Sequence, residues 1–210
     1  MGVMNKIVAQ NPDYLFMIES ACKAPSGHNT QPWLFKIGAS EIDIYPDFSK
    51  ALPVVDPSHR ELFVSLGCAT ENLCIAAQEK GYHTEVKVID NSFIRVLLTG
   101  DKEKLPFSLL FPQIAVRQTN KRVYNGEAIP ERTINLLKMV PIEPSVSIHF
   151  YRNGTVDYDT IAGWVYAGNR LQMNDEAFKT ELTDWMRYNK KQQDNTRDGL
   201  SYATFGAPNI

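Results

Sequence analysis

Behind Asn11 and Pro12, apolar side chains recur at Leu15, Ile18 and Cys22 with helical spacing. Asn11 reads as an N-cap with proline in the first turn, and Pro25, Ser26 and Gly27 stop the pattern, so the spacing predicts a first helix and then a turn. Leu34 to Ile37, then Ile42 and Ile44, alternate with polar residues around Gly38 to Ser40. That is the period of a short hairpin, ending near Pro46. Ser58 with Glu61 makes a capping box, after which Leu62, Leu66, Ala69, Leu73 and Ala76 mark one face of a helix of about five turns that Gly81 closes. Val86 and Val88, alternating with charged residues, and the run Phe93 to Thr99 predict two more strands.

The stretch Asp101 to Gln113 contains Pro106 and Pro112 and has no regular period, which marks a connection between two halves. After it, Pro130 to Met139 reads as a helix, Val146, Ile148 and Phe150 as a strand, and Asp157 to about Gln193 as two polar amphipathic helices. Helices and strands mix without strict βαβ alternation. The expected class is therefore α+β, with a mixed, mostly antiparallel sheet flanked by helices. The 210 residues fit a single domain, 1–210, with a candidate half boundary near 101–113.

Composition narrows the function. A formal net charge of −2, with no Lys/Arg run longer than two, argues against nucleic acid and against a polybasic membrane site, both of which need a concentrated positive field. The first sixteen residues lack the apolar core of a signal peptide, no later run reaches transmembrane length, and Lys6 stands where a myristoylation motif wants Ser or Thr. The cytoplasm is the expected compartment. Cys22, Cys68 and Cys74 show no metal spacing and are expected to be reduced core residues. The four histidines, His28, His59, His83 and His149, show none either, so no metal site is expected.

Two segments carry candidate chemistry. Ala24 to Trp33, A-P-S-G-H-N-T-Q-P-W, lies between a helix and a strand. Ser26 offers a hydroxyl, Gly27 allows close backbone approach, and Asn29 and Gln31 each carry a donor and an acceptor, the groups needed to read the edge of a flat heterocycle such as a flavin ring. The same residues also build capped turns, with Trp33 in the core. Val116 to Tyr124, V-R-Q-T-N-K-R-V-Y, places Arg117, Thr119 and Lys121 on one side of an extended backbone, which suits a phosphate and a polyhydroxyl chain or, equally, a solvated basic stretch. Ser26 and His28 are too close in sequence for a nucleophile and base pair, and no G-x-S-x-G elbow is present.

Together the segments resemble one family. A-P-S-x-x-N-x-Q-P-W ahead of a strand looks like the nitroreductase superfamily of FMN flavoproteins, R-x-T-x-x-R-x-Y looks like its basic segment, and Gly67 to Tyr82 is similar to its central helix. The basic segment follows the A-P-S segment instead of preceding it, which looks like the Acg-like branch, where two nitroreductase-like halves are fused in one chain. The resemblance runs to about Gly199, with R-D-G-L at Arg197 to Leu200 as a further similarity.

The resemblance implies that Pro25, Ser26, Gly27, Asn29 and Gln31 line an isoalloxazine, and that Arg117, Thr119 and Lys121 hold its phosphate and ribityl chain, with Lys121 or Arg122 in place of the family arginine. It leaves His28 as a substrate-side donor or a hydrogen-bonded structural residue. It implies an oxidoreductase in which FMN takes a hydride from NAD(P)H and passes electrons to a nitroaromatic, quinone or similar small acceptor, with no side chain required as acid or base. No G-x-G-x-x-G follows a strand, so NAD(P)H is expected to stack on the flavin and not in a Rossmann site. Against that branch the chain looks shortened at its C-terminus. Either it forms a homodimer to supply the missing groups, or its FMN site is weakened or lost. The alternatives are an FMN-binding or sequestering protein with little turnover, and a dimeric interaction module with an empty site.

Overall fold

The computed structural model describes residues 11–100, 106, 108–121 and 123–206. Helix α1 spans Pro12–Ala21, and Asn11 caps it by accepting from the Asp13 N–H at 3.0 Å. Strands β1 (Trp33–Ile37) and β2 (Glu41–Pro46) form the expected hairpin. Helix α2 (Arg60–Glu79) follows, then β3 (His83–Ile89) and β4 (Phe93–Thr99), joined through Asp90 and Asn91 in the left-handed region, as a tight hairpin demands. These four strands make an antiparallel sheet in the order β1-β2-β4-β3. The fold class is α+β, consistent with a nitroreductase-like fold.

The core lies where α1 and α2 pack on that sheet. Leu62, Leu66, Ala69, Leu73 and Ala76, the face expected from spacing, are all buried, against Met17 and Ala21 of α1 and Ile42, Ile44 and Val96 of the sheet. Each of the Leu, Ile, Val and Met side chains among them contributes on the order of 1.5–3 kcal/mol through removal from water. At the far end of α2, Gly81 (φ 81°) lets the Tyr82 N–H reach the Ala77 carbonyl and its own N–H reach that of Gln78, a Schellman closure that satisfies two terminal carbonyls.

Four local expectations are corrected. Ser58 does not cap α2: His59 occupies the N-cap in the left-handed region (φ 58°), and the Asp56 carboxylate accepts from the Leu62 N–H at 2.9 Å. Both residues were available, and the turn at Pro57 brings the charged acceptor to the helix N-terminus, where negative charge is favoured. In α1 the buried face is Tyr14, Met17 and Ala21, while Cys22 is exposed; the apolar run Tyr14 to Ile18 covers more than one face and does not choose between them. Val146, Ile148 and Phe150 form no strand, because the alternating run has no partner ladder among the described residues. Beyond Asp157 there are three helices where two were expected: α5 (Val156–Asn174), α6 (Glu176–Asp184) and α7 (Lys190–Thr196), with the short strand β5 (Met186–Arg187) before α7 and β6 (Leu200–Ser201) after it. β5 and β6 pair in parallel. Helices α3 (Phe111–Val116) and α4 (Glu131–Lys138) complete the set.

The chain divides into two compact units, one made of Met1–Lys121 with Thr180–Ile210, the other of Arg122–Lys179. The first contains the sheet, α1, α2 and the β5–β6 pair. In the second, neither α4 nor α5 has a buried residue, and Trp164 and Leu171 of α5 are 75% and 73% exposed. Among the described residues no helix is long and apolar enough to cross a membrane.

Candidate functional site

The loop after α1 is built from strained backbone. A short 3-10 turn spans Gly27–Asn29, and His28, Asn29 and Gln31 all have positive φ, at 46°, 54° and 54°. Each such residue costs on the order of 1 kcal/mol or more, and the conformation persists only where its surroundings hold it. Those surroundings are specific. The Gln31 N–H donates to Ser26 Oγ at 3.0 Å, the Asn29 and Thr30 N–H groups donate to the carbonyls of Ser26 and Gly27, and Thr30 and Pro32 are buried beneath. Gly27 packs against the start of α2: a Cβ there would lie 3.1 Å from Glu61 Oε2 and 3.2 Å from Leu52 Cδ1. Pro25 at the loop entrance is exposed.

The far side of the loop is held by the segment Arg197–Gly199. Asn29 Nδ2 donates to the Gly199 carbonyl at 2.9 Å, the Gly199 N–H returns a bond to the Asn29 carbonyl at 2.9 Å, and Gln31 Nε2 donates to the Arg197 carbonyl at 2.6 Å. Between these carbonyls, the Asp198 carboxylate receives Lys50 Nζ at 3.1 Å and the Arg187 guanidinium at 2.8 Å. Burial alone would raise the Asp198 pKa, but Arg187 and Lys50 together hold it below the ordinary carboxylate value. Arg187 is itself fixed, donating to Thr196 Oγ1 and to the carbonyls of Asp184 and Met186. Gly199 (φ 81°) is required here, since a Cβ would stand 2.5 Å from the Trp185 carbonyl oxygen.

The basic segment touches the chain just ahead of this loop, at Lys23. Arg117, Thr119 and Lys121 are exposed on irregular backbone after α3, and Arg122 lies outside the described residues. The Arg117 guanidinium donates to the Lys23 carbonyl at 3.3 Å, and the Lys121 ammonium sits 5.7 Å from the Phe205 ring centre. Burial, reinforced by the Lys121 charge, pushes the His28 pKa below its ordinary value against the pull of Glu181 and Glu61. His28 Nδ1 is buried and has no hydrogen-bond partner among the described residues. The Glu181 carboxylate accepts from the N–H groups of Val54 and Val55 at 2.9 and 3.0 Å, which ties α6 to the chain ahead of α2.

Beside the loop, Gly27, Thr30, Lys50, Asp56, Glu61 and Ser65 line a cavity of about 10 Å³, room for about one water molecule. That is below the roughly 300–1,000 Å³ typical of a pocket that encloses a small organic ligand.

The structure thus gathers Ser26, Gly27, His28, Asn29 and Gln31 in one loop, with Arg117 bonded to Lys23 just ahead of it and the Lys121 charge acting on His28, and spends side-chain amide N–H groups of Asn29 and Gln31 on the chain's own backbone. Lys50, Glu181, Arg187 and Asp198 were not singled out from the sequence. The only signal at Asp198 was the R-D-G-L similarity, and the opposite charges that meet there come from three separate stretches. Among the described residues no group of His, Cys, Asp and Glu is placed to hold a metal ion.

No family model matches the chain. Two Mycobacterium tuberculosis proteins, from strains CDC 1551 and H37Rv, each provisionally named an NAD(P)H nitroreductase, are 24% identical to it over 173 residues, 79% of this chain and 48% of theirs. The chain spans about half the length of the curated relatives it matches, and this distant likeness supports a nitroreductase-like family for it.

Proposed function

We propose that this chain is an FMN-dependent oxidoreductase of the nitroreductase type, taking electrons from NAD(P)H and delivering them to a nitroaromatic, quinone or similar small acceptor. The observation that carries the reading is that the Ser26 to Gln31 loop and the Arg117 to Lys121 segment belong to one compact unit, with Arg117 bonded to Lys23 just ahead of the loop and the Lys121 charge acting on His28. The donor set fits the cofactor. With their amide nitrogens bonded to the Arg197–Gly199 segment, Asn29 and Gln31 offer amide oxygens as acceptors and Ser26 a hydroxyl donor to an isoalloxazine edge, and Arg117 and Lys121 offer cations for its phosphate. Bound FMN would supply the hydride chemistry, accepting from NAD(P)H and passing electrons on. The chain's own residues bind and orient: Arg117 and Lys121 take the anionic end, Thr119 the polyhydroxyl chain, and the strained loop presents a fixed polar edge. His28, held toward its neutral form, serves as an uncharged donor or acceptor at that edge.

A cavity of about 10 Å³ does not enclose a flavin, and we assign a second copy of this chain as the partner that completes the site. The uncovered apolar side chains of α5 in its own unit, Trp164, Val165 and Leu171 among them, support such a partner.

The test is the absorption spectrum of the purified protein before and after incubation with FMN and desalting, followed by anaerobic addition of NADPH. Retained flavin bands near one per chain that bleach rapidly support the oxidoreductase. Bands that persist unbleached leave a flavin-holding protein, and no retained bands at any FMN concentration overturn the flavin reading. A solution mass equal to one chain with FMN fully bound overturns the homodimer.

A further inference from the structure

We infer that Asp198 is a positioning residue: through its ion pairs with Lys50 and Arg187 it pins the Arg197–Gly199 strap, whose carbonyls set the orientation of the Asn29 and Gln31 carboxamides. This rests on the reading of the Ser26 to Gln31 loop as the cofactor-facing edge. The geometry leaves little freedom. A backbone carbonyl only accepts, so the amide group facing the Gly199 or Arg197 oxygen must be the NH₂, and each amide oxygen is turned away from the strap. With all three of His28, Asn29 and Gln31 at positive φ, the loop has no regular backbone ladder of its own to fix those side chains. The strap supplies the anchor, and the strap is anchored at Asp198.

The charges support this role over simple surface pairing. The Asp198 and Arg187 side chains are only 15% and 12% exposed, and Lys50 is 33% exposed. One carboxylate therefore serves two cations from separate elements, Lys50 from the short turn Phe48–Lys50 and Arg187 from β5. Such shared, charge-assisted bonds in a poorly hydrated setting are stronger and more directional than exposed pairs. Arg187 also grips Thr196 Oγ1 at 2.9 Å, so the end of α7 and the strap move as one piece.

The experiment uses the full chain, ¹⁵N-labelled, as wild type, Asp198→Asn, Asp198→Glu and Lys50→Met. Three quantities are read: the side-chain carboxamide resonances of Asn29 and Gln31, the exchange rates of the Gly199 and Leu200 amides, and the dissociation constant for FMN from fluorescence quenching. In Asp198→Asn, protection of the Leu66 and Leu73 amides is expected to persist, while Gly199 exchanges at least about tenfold faster and the FMN dissociation constant rises about tenfold. Both carboxamide resonances are expected to move toward free-amide positions. Asp198→Glu should regain part of each change, since the charge is restored. Lys50→Met, which keeps the Arg187 pair, should show the same changes at smaller size and carries the test if Asp198→Asn does not fold. Carboxamide resonances at their wild-type positions in a folded Asp198→Asn protein overturn the inference, as does unchanged FMN affinity once they have moved. A wild type that binds no FMN removes the flavin reading alone; the carboxamide positions, taken without ligand, then decide the role of Asp198.

Discussion

The Ser26 to Gln31 loop and the Arg117 to Lys121 segment are both short, polar and irregular, yet they are held in opposite ways. In the loop, three residues sit at positive φ and the polar side chains are spent on the protein itself: Ser26 on the Gln31 N–H, Asn29 and Gln31 on the strap. In the basic segment all five residues are exposed, and the bond from Arg117 to the Lys23 carbonyl is a long one at 3.3 Å. The loop is a preorganised surface whose geometry the fold maintains at a cost in strain. In the proposed role the segment would act through charge, which works at a distance and needs little preorganisation. Changes in the loop should therefore be felt first as lost stability, and changes in the segment only as lost affinity for an anion.

The largest effect is expected where the strap meets the protein. Gly199→Ala combines a left-handed φ with a Cβ 2.5 Å from the Trp185 carbonyl oxygen, which is backbone and cannot swing aside. Urea unfolding should show a loss of about 3 kcal/mol or more. Gly126 has a similar φ of 77° with nothing among the described residues within 4 Å of its Cβ position, so Gly126→Ala should cost about 1 kcal/mol from backbone strain alone. Equal losses for the two would mean that the strap is not tightly seated. Next comes Asn29→Ala against Thr119→Ala. The first loses the bond to Gly199 and puts alanine at φ 54°, together about 2 kcal/mol. The second, at an exposed position, should fall within about 0.5 kcal/mol of wild type.

Acid sharpens the contrast further. The pKa of His28 is lowered in the folded protein by burial and by Lys121, so the unfolded chain takes up that proton first. The stability this contributes is complete above the unfolded value of about 6.5 and is lost as pH falls toward the folded one, with a slope of at most about 1.4 kcal/mol per pH unit for one proton. Asp198 has the same sign with a lower window. Its pKa is also depressed, so its contribution is complete above about 4 and is lost as pH falls through the folded value. His28→Asn, which keeps a residue tolerant of positive φ, should abolish the upper limb of the stability–pH curve and leave the lower one. An upper limb that survives the substitution would assign it to another group.

How far the sequence reveals this arrangement depends on the range of the interactions involved. The α2 face from Leu62 to Ala76, the first hairpin, the two strands after α2 and the Asn11 cap are legible because they rest on local periodicity and local side-chain bonds. The α2 N-terminus was misread because Asp56 and Ser58 are both competent acceptors and the turn at Pro57 chose between them. The strap was not legible at all. Asn29 and Gly199 are 170 positions apart, and Lys50, Arg187 and Asp198 look like ordinary surface charges until the fold gathers them. Composition leaves the loop open as a polar recognition edge or a capped turn, and does not show that its amide donors are engaged by the chain itself.

The smallest effect on stability is expected in the basic segment. Arg117→Ala removes a long, exposed bond to the Lys23 carbonyl, and Lys121→Ala removes an ammonium that sits 5.7 Å from the Phe205 ring centre, so each should leave stability within about 0.5 kcal/mol of wild type. If the segment holds a phosphate, the same substitutions weaken FMN binding by about tenfold or more, since hydrogen bonds to a charged partner contribute roughly 1.5–3 kcal/mol. Riboflavin, which lacks the phosphate, should bind the wild type and both variants with nearly equal affinity. The difference between FMN and riboflavin should also shrink as salt is added, because exposed charges are screened over about 10 Å at 0.1 M ionic strength. A riboflavin affinity that falls in parallel with that of FMN would place Arg117 and Lys121 against the ring, and the division between a shaped loop and a charged arm would not hold.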